Sequence, residues 1–262
     1  MSKMKTKGIV ISQNKITPVI YDMWICTEIA KDAKAGQFVG IYPKDSATLL
    51  PRPISICEVS KDKEAIRLVY RVSGSGTAEF AAYQQGDFIF LLGVLGNGFP
   101  AFEAKTNRVF LIGGGIGIPP LLELAKVIKE KAAPSSIDIF LGYRDNALFL
   151  ADELAAYGKI HIATEDGSSG SKGNVINAIE ESGLTPGVVM ACGPLPMLRS
   201  VKAYAAGLNI KAYLSLEEHM ACGIGACLGC VCRTTEKDHH SHVQNARICT
   251  EGPVFDAEYV EI

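Results

Sequence analysis

Val109-Phe110-Leu111-Ile112-Gly113-Gly114-Gly115-Ile116-Gly117-Ile118-Pro119-Pro120 reads as a short apolar strand, a glycine turn and the opening of a helix. Glycines let the backbone approach a phosphate, and a helix N-terminus favours its negative charge. Proline early in the helix costs little, since its missing N–H would be unpaired anyway. The pattern departs from G-x-G-x-x-G, because proline takes the last glycine position. On this stretch alone, a tight strand-to-helix connection without ligand remains an alternative.

Downstream, the same strand-and-helix alternation continues. Strands are expected at residues 108–112, 137–141, 160–164, 188–191 and 212–216, and helices at 119–131, 148–157, 174–182 and 195–206. Alternation of this kind implies a parallel sheet with helices on both faces. Upstream of Pro100 the period is different. Short strand-like runs at 8–12, 21–28, 37–42, 55–58, 66–72 and 88–92 are split by turn signals, which suggests a small antiparallel barrel. One helical interruption is expected near 78–83, just after Gly74-Ser75-Gly76-Thr77.

The C-terminal stretch carries Cys222, Cys227, Cys230 and Cys249, spaced C-x4-C-x2-C with a distant fourth. This is the plant-type spacing for a [2Fe–2S] cluster. Thiolates are soft anionic ligands for iron, and the small residues Gly223-Ile224-Gly225-Ala226 let backbone N–H groups approach cluster sulfides. A structural zinc site more often shows two C-x2-C pairs, and a disulfide set needs an oxidising compartment. Cys232 is either an alternative ligand or a small apolar packing residue. His239-His240-Ser241-His242 has the look of a metal tract, against the commoner reading of a solvated loop.

The chain has 262 residues, 48% of them hydrophobic, and a formal net charge of −2. A core is attainable without a membrane, and no basic tail or stripe points to nucleic acid. No signal-peptide core or long apolar span is evident, so the expected location is cytoplasmic and non-membrane. Cys26 and Cys57 lie in strand-like runs and read as buried free thiols. The expected class is therefore α/β plus all-β. A barrel over residues 1–102 is followed by a Rossmann-like unit over 103–216 and a small cluster unit over 217–262.

Three further motifs are individually weak. Arg52-Pro53-Ile54-Ser55 offers a rigid arginine for a phosphate, although a surface arginine at a turn is commoner. Gly74-Ser75-Gly76-Thr77 is a phosphate cradle or a plain turn with threonine as N-cap. Cys192-Gly193-Pro194 follows a strand at the sheet edge where α/β folds bind ligands, or holds a buried structural thiol. Thr164-Glu165-Asp166-Gly167 ends another strand at that edge.

Taken together and in this order, the motifs resemble the ferredoxin-reductase superfamily, and within it the electron-transfer subunits of bacterial type B dihydroorotate dehydrogenases. The resemblance spans essentially the whole chain. It adds Val69-Tyr70-Arg71-Val72, Leu95-Gly96-Asn97-Gly98-Phe99-Pro100, Met220-Ala221-Cys222 and Cys249-Thr250-Glu251-Gly252-Pro253 to the motifs above. It implies one FAD between barrel and α/β unit. Arg52, Pro53, Ile54 and Ser55 would line the flavin and its phosphates, and Val69, Tyr70 and Arg71 would contact it. Gly76 and Thr77 would cap the helix receiving the pyrophosphate. Gly113, Gly114, Gly115 and Gly117, with Cys192, Gly193 and Pro194, would face NAD as a mobile substrate. Cys222, Cys227, Cys230 and Cys249 would hold the [2Fe–2S] cluster, and no acid–base residue is called for. The implied partner is an FMN-containing catalytic subunit, two copies of each forming a heterotetramer in pyrimidine biosynthesis.

Val94 stands where that family often has proline, and Arg144 after the second α/β strand would suit a 2′-phosphate and hence NADP, whereas the resemblance implies NAD, which is the expectation kept. A chain of this length has no room for a TIM barrel beside these units, so dihydroorotate oxidation would belong to the partner. Alternatives are a reductase subunit serving a sulfide dehydrogenase, hydrogenase or glutamate synthase system, or a non-enzymatic iron–sulfur sensor.

Overall fold

Six N-terminal strands close into an antiparallel barrel in the computed structural model, which describes residues 5–45, 48–237 and 242–262. They are β1 (Lys5–Lys15), β2 (Ile20–Cys26), β3 (Phe38–Tyr42), β4 (Arg52–Val59), β5 (Ala65–Arg71) and, after helix α1 (Ser75–Phe80), β6 (Phe88–Leu95), ordered β1-β2-β5-β4-β3-β6. Inward residues such as Met23, Ile25, Ile41, Ile56, Leu68 and Leu91 are fully enclosed, as period-two alternation requires. Helix α1 begins earlier than expected. Its N-cap is Gly74, and Thr77 sits in the first turn with its Oγ1 accepting from Ser73 and Gly74 N–H. Thr77 therefore closes the helix start from inside rather than capping it.

The second unit contains β7 (Arg108–Gly114), α2 (Pro120–Lys131), β8 (Ser136–Tyr143), α3 (Ala151–Ala155), β9 (Lys159–Thr164), β10 (Ser171–Lys172), α4 (Val175–Ser182), β11 (Val188–Cys192), α5 (Leu195–Gly207) and β12 (Lys211–Ser215). The sheet order is β10-β9-β8-β7-β11-β12, all parallel. Central strands β7, β8 and β11 are buried on both faces, which explains their unbroken apolar runs. Helix α3 is shorter than the 148–157 expected. Leu150 takes a left-handed φ of 63°, which ends any helix passing through it.

The C-terminal segment holds β13 (Val231–Thr234), β14 (Asn245–Arg247), β15 (Val254–Asp256) and β16 (Val260–Glu261). Strands β14-β13-β16 form a small sheet, but β15 pairs antiparallel with β12 and completes the large one. The α/β sheet thus takes its last strand from beyond residue 216. The barrel is tied to the same segment: Asn97 N–H donates to Gly252 O at 2.6 Å, and its Nδ2 donates to Thr250 O and Glu251 O. Gly96 permits this approach, with φ of +71° and Gly252 O only 2.7 Å from where a Cβ would stand.

A charged seam locks the barrel to the α/β unit. Arg67 on β5 makes a two-pronged contact with Asp22 at 3.0 and 2.9 Å and reaches Glu153 on α3. Beside it, Lys126 of α2 donates to Val59 O at 3.0 Å, while Glu123 accepts from Val59 N–H at 3.0 Å. Among the described residues, no helix is long and apolar enough to cross a membrane.

Candidate functional site

Two cavities open side by side where the barrel meets the C-terminal ends of the parallel strands. The first, of about 530 Å³, is lined by Arg52, Pro53, Ile54 and Ser55 of β4, by Val69, Tyr70 and Arg71 of β5, and by Thr77 of α1. Gly76 lies behind this wall. A Cβ there would come within 2.8 Å of Arg52 Nε, so the missing side chain makes room for the arginine. Across the cavity stand Ile116, Ser215, Leu216, Glu217, His219 and Met220. Its size suits a cofactor, and an arginine beside a helix start suits a pyrophosphate. Tyr70 OH accepts from Gln13 Nε2 at 2.7 Å, and burial raises its pKa against that hydrogen bond, so the phenol stays neutral.

The second cavity, of about 510 Å³, follows the strand ends of the sheet. Gly114 and Gly115 supply its glycine turn, with Pro194 and Met197 beside them. Thr17, Pro18 and Val19 from the β1–β2 turn form the opposite wall. Arg71 lines both cavities. Gly117 is forced by packing: a Cβ would lie 2.4 Å from Cys192 O and 2.6 Å from Gly193 Cα. The structure therefore brings the glycine turn and the Cys192-Gly193-Pro194 loop into contact, although Gly113, Gly117, Cys192 and Gly193 do not themselves line the cavity.

Cys192 points into the core, 1% exposed. Burial pushes its thiol up to about 12, helped by Glu217, with a hydrogen bond to Ser215 opposing. Only the thiolate is nucleophilic, and at pH 8 its fraction would be on the order of one in ten thousand. Cys57 is buried as expected, but Cys26, at the end of β2, is exposed rather than buried, so iodoacetamide at pH 8 is expected to label Cys26 and spare Cys192 and Cys57 until the chain is unfolded. Peptide mass spectrometry reads this directly, and stoichiometric native labelling of Cys192 would contradict its placement.

The four expected ligand cysteines fall into two pairs. Cys222 Sγ and Cys227 Sγ are 3.3 Å apart, and Cys230 and Cys249 are hydrogen-bonded neighbours. N–H groups of Ile224 and Cys227 point at Cys222 Sγ from 3.5 and 3.4 Å. Burial opposes ionisation of Cys222, but these N–H groups prevail and hold it near 6. Burial and the neighbouring Cys230 push Cys249 up to about 11. Gly223 and Gly225, at φ of +67° and +80°, make the loop's turns. Among the described residues, no three His, Cys, Asp or Glu side chains converge on one point. Two sulfur pairs fit a two-iron cluster, each iron held by one pair, better than a single tetrahedral zinc. Cys232 sits on β13 opposite Ala246, half-buried against the core. Of the histidine tract, residues 239–241 lie outside the described residues, and His242 is exposed.

A family model described as the iron–sulfur cluster binding domain of dihydroorotate dehydrogenase B matches residues 217–261, and an oxidoreductase NAD-binding domain matches residues 111–203. The dihydroorotate dehydrogenase B (NAD(+)) electron transfer subunit of Listeria monocytogenes serovar 1/2a is 40% identical over 99% of this chain and 100% of its own. The chain belongs to the dihydroorotate dehydrogenase B electron transfer subunit family. The same subunit from Enterococcus faecalis OG1RF is also 40% identical, covering 99% of both chains. Among solved structures, the NADH-dependent reduced ferredoxin–NADP oxidoreductase superposes with a TM-score of 0.84 at 27% identity, over 97% of this chain and 89% of that one. A ferredoxin NADP+ reductase from Neisseria gonorrhoeae with bound FAD and NADP shares the fold, with a TM-score of 0.67, 19% identity, and coverage of 97% and 100%.

Glu217 and His219 in the first cavity are additions the motifs did not supply. The signal was present, since Glu217 lies two residues past the end of β12, at the ligand-binding edge. Its side chain is exposed within the open cavity; partial desolvation by the cavity wall raises its carboxyl, with Arg71 opposing.

Proposed function

We propose that this chain is the electron-transfer subunit of an NAD-dependent dihydroorotate dehydrogenase. It passes electrons between NAD, its own FAD and [2Fe–2S] cluster, and the FMN of a catalytic partner. One observation carries the reading. Met220 lines the flavin-sized cavity, and Cys222, two residues on, opens the cluster loop, so one short segment links the two groups. A flavin exchanges hydride with a nicotinamide and passes electrons on singly to an iron–sulfur cluster.

The residues present do the positioning. Arg52 and the start of α1 are set to bind the FAD pyrophosphate, with Pro53, Ile54, Ser55, Val69 and Tyr70 along the ring and its linker. Arg71, shared by both cavities, is set to bind phosphate at their junction. Gly114 and Gly115 bring bare backbone to the nicotinamide nucleotide, with Gly113 and Gly117 fixing that turn against Cys192, Gly193 and Pro194. Cys222 and Cys227 hold one iron, and Cys230 and Cys249 the other. Residues 1–102, 103–216 and 217–262 serve as flavin, nucleotide and cluster units. Dihydroorotate chemistry falls to the partner, and two copies of each chain make the assembly.

The chain, purified anaerobically, should show flavin and iron–sulfur absorption that bleaches on NADH titration. Orotate should form only when the dihydroorotate-oxidising partner is added. Bleaching without orotate-linked activity would move the chain to another partner, and absence of flavin would overturn the mechanism.

A further inference from the structure

Hydride moves only between atoms near contact, about 3–3.5 Å apart. The nicotinamide end of the nucleotide must therefore lie where the two cavities adjoin, beside Arg71 and the Gly115–Ile116 turn. That leaves the adenosine end toward β8 and β9, which lie beyond β7 in the sheet, where Arg144, Asp145, Glu165 and Asn174 line the cavity. Strand pairing brings the first three together. Tyr143 faces Thr164 across β8 and β9, Glu165 N–H donates to Tyr143 O at 3.1 Å, and Asp166 N–H donates to Arg144 O at 3.4 Å.

Most polar groups here serve their own turns. Asp145 Oδ1 accepts from Ala147 N–H at 2.9 Å, and Asn174 Oδ1 accepts from Ile176 N–H at 2.8 Å. Asp166, just outside the cavity, accepts from Ser168 N–H and Oγ at 2.9 and 2.6 Å. Glu165 and Arg144 are different: neither side chain makes a hydrogen bond or ion pair among the described residues. The far end of the cavity thus presents one uncommitted carboxylate and one uncommitted guanidinium, held on adjacent strand ends.

The two groups favour opposite ligands. A carboxylate accepts hydrogen bonds from both hydroxyls of an unmodified ribose, whereas a guanidinium prefers a phosphate in the 2′ position. Resting on the function proposed above, we propose that Glu165 is the specificity residue of the nucleotide cavity. Its carboxylate takes the ribose diol and repels a 2′-phosphate that Arg144 alone would attract, so the cavity selects NAD over NADP. Arg144 is visible in the sequence beside the strand it follows, but its counterweight lies on another strand, which only the sheet pairing brings alongside.

The test uses the full chain and two probes, 5′-AMP and 2′,5′-ADP, with binding measured by calorimetry, alongside NADH and NADPH oxidation. Wild type should favour 5′-AMP. Glu165→Gln should shift the ratio of the two affinities toward 2′,5′-ADP by about tenfold or more, and Glu165→Arg further. The double variant Glu165→Gln/Arg144→Gln should lose that gain, since Arg144 is its source. An unchanged ratio in Glu165→Gln and Glu165→Arg, with NADH still oxidised, overturns this proposal and leaves the electron-transfer reading standing. A chain that neither binds 5′-AMP nor oxidises NADH overturns both. Because Glu165 is exposed at a strand end, its substitution tests recognition rather than folding.

Discussion

Serine in place of Cys227 will silence electron delivery to a one-electron acceptor while sparing the flavin. Cys227 pairs with Cys222 at 3.3 Å, so its loss leaves one iron with a single thiolate. Outer partners of metal ligands already cost about 10–100-fold when removed, so losing a ligand itself should cost more than about 100-fold. The cluster's absorption and paramagnetic signal should vanish together. NADH oxidation by a hydride-accepting dye should persist, because the Arg52–Arg71 cavity and the glycine turn lie on other elements. Cys232→Ser is the matched control. It stands on β13 opposite Ala246, outside both sulfur pairs, and should keep cluster and turnover. If Cys232→Ser loses the cluster and Cys227→Ser keeps it, the ligand set is wrong.

Arg67→Ala should be the most destabilising single change on the interface between barrel and α/β unit. The side chains of Arg67 and Asp22 are 9% and 11% exposed, and the guanidinium meets the carboxylate with two nitrogens. Desolvation works against the charged guanidinium, but the hydrogen bonds it donates to Glu153 and Asp22 outweigh it and raise its pKa further. Removing the arginine strands the nearly buried Asp22 without its partner, a change that typically costs about 3–5 kcal/mol. For a chain of this size the melting midpoint should fall by about 10 °C. Glu153→Gln, at a carboxylate whose side chain is 47% exposed, should move it by a small fraction of that. A midpoint for Arg67→Ala equal to wild type would show that the seam adds nothing to stability.

Much of the fold is legible in the sequence because each unit has its own period. Alternation before Pro100 marks the barrel, and strand–helix alternation after it marks the parallel sheet. What escapes is decided by tertiary contact. Leu150 takes a left-handed conformation that no local signal announces, and so shortens α3. Strand β15 is only three residues long, too short for any period, and exists because β12 offers it an edge. The candidate site divides the same way. Cysteine spacing is a local chemical statement and reads plainly, whereas the cavity-lining role of Glu217 depends on where β12 ends relative to β5. Cys192 shows the reverse error: its motif marks the right loop, but strand alternation turns the thiol itself into the core.

Strand β15 also decides whether the chain can be trimmed. A flavin reductase made by cutting after Ser215 would keep every residue of the second cavity, yet it would expose the β12 backbone at Tyr213, Leu214 and Ser215, which β15 now pairs. A bare edge with buried apolar side chains such as Leu214 recruits the edges of other molecules. Such a fragment should precipitate rather than catalyse, so the iron-binding tail doubles as a guard against aggregation.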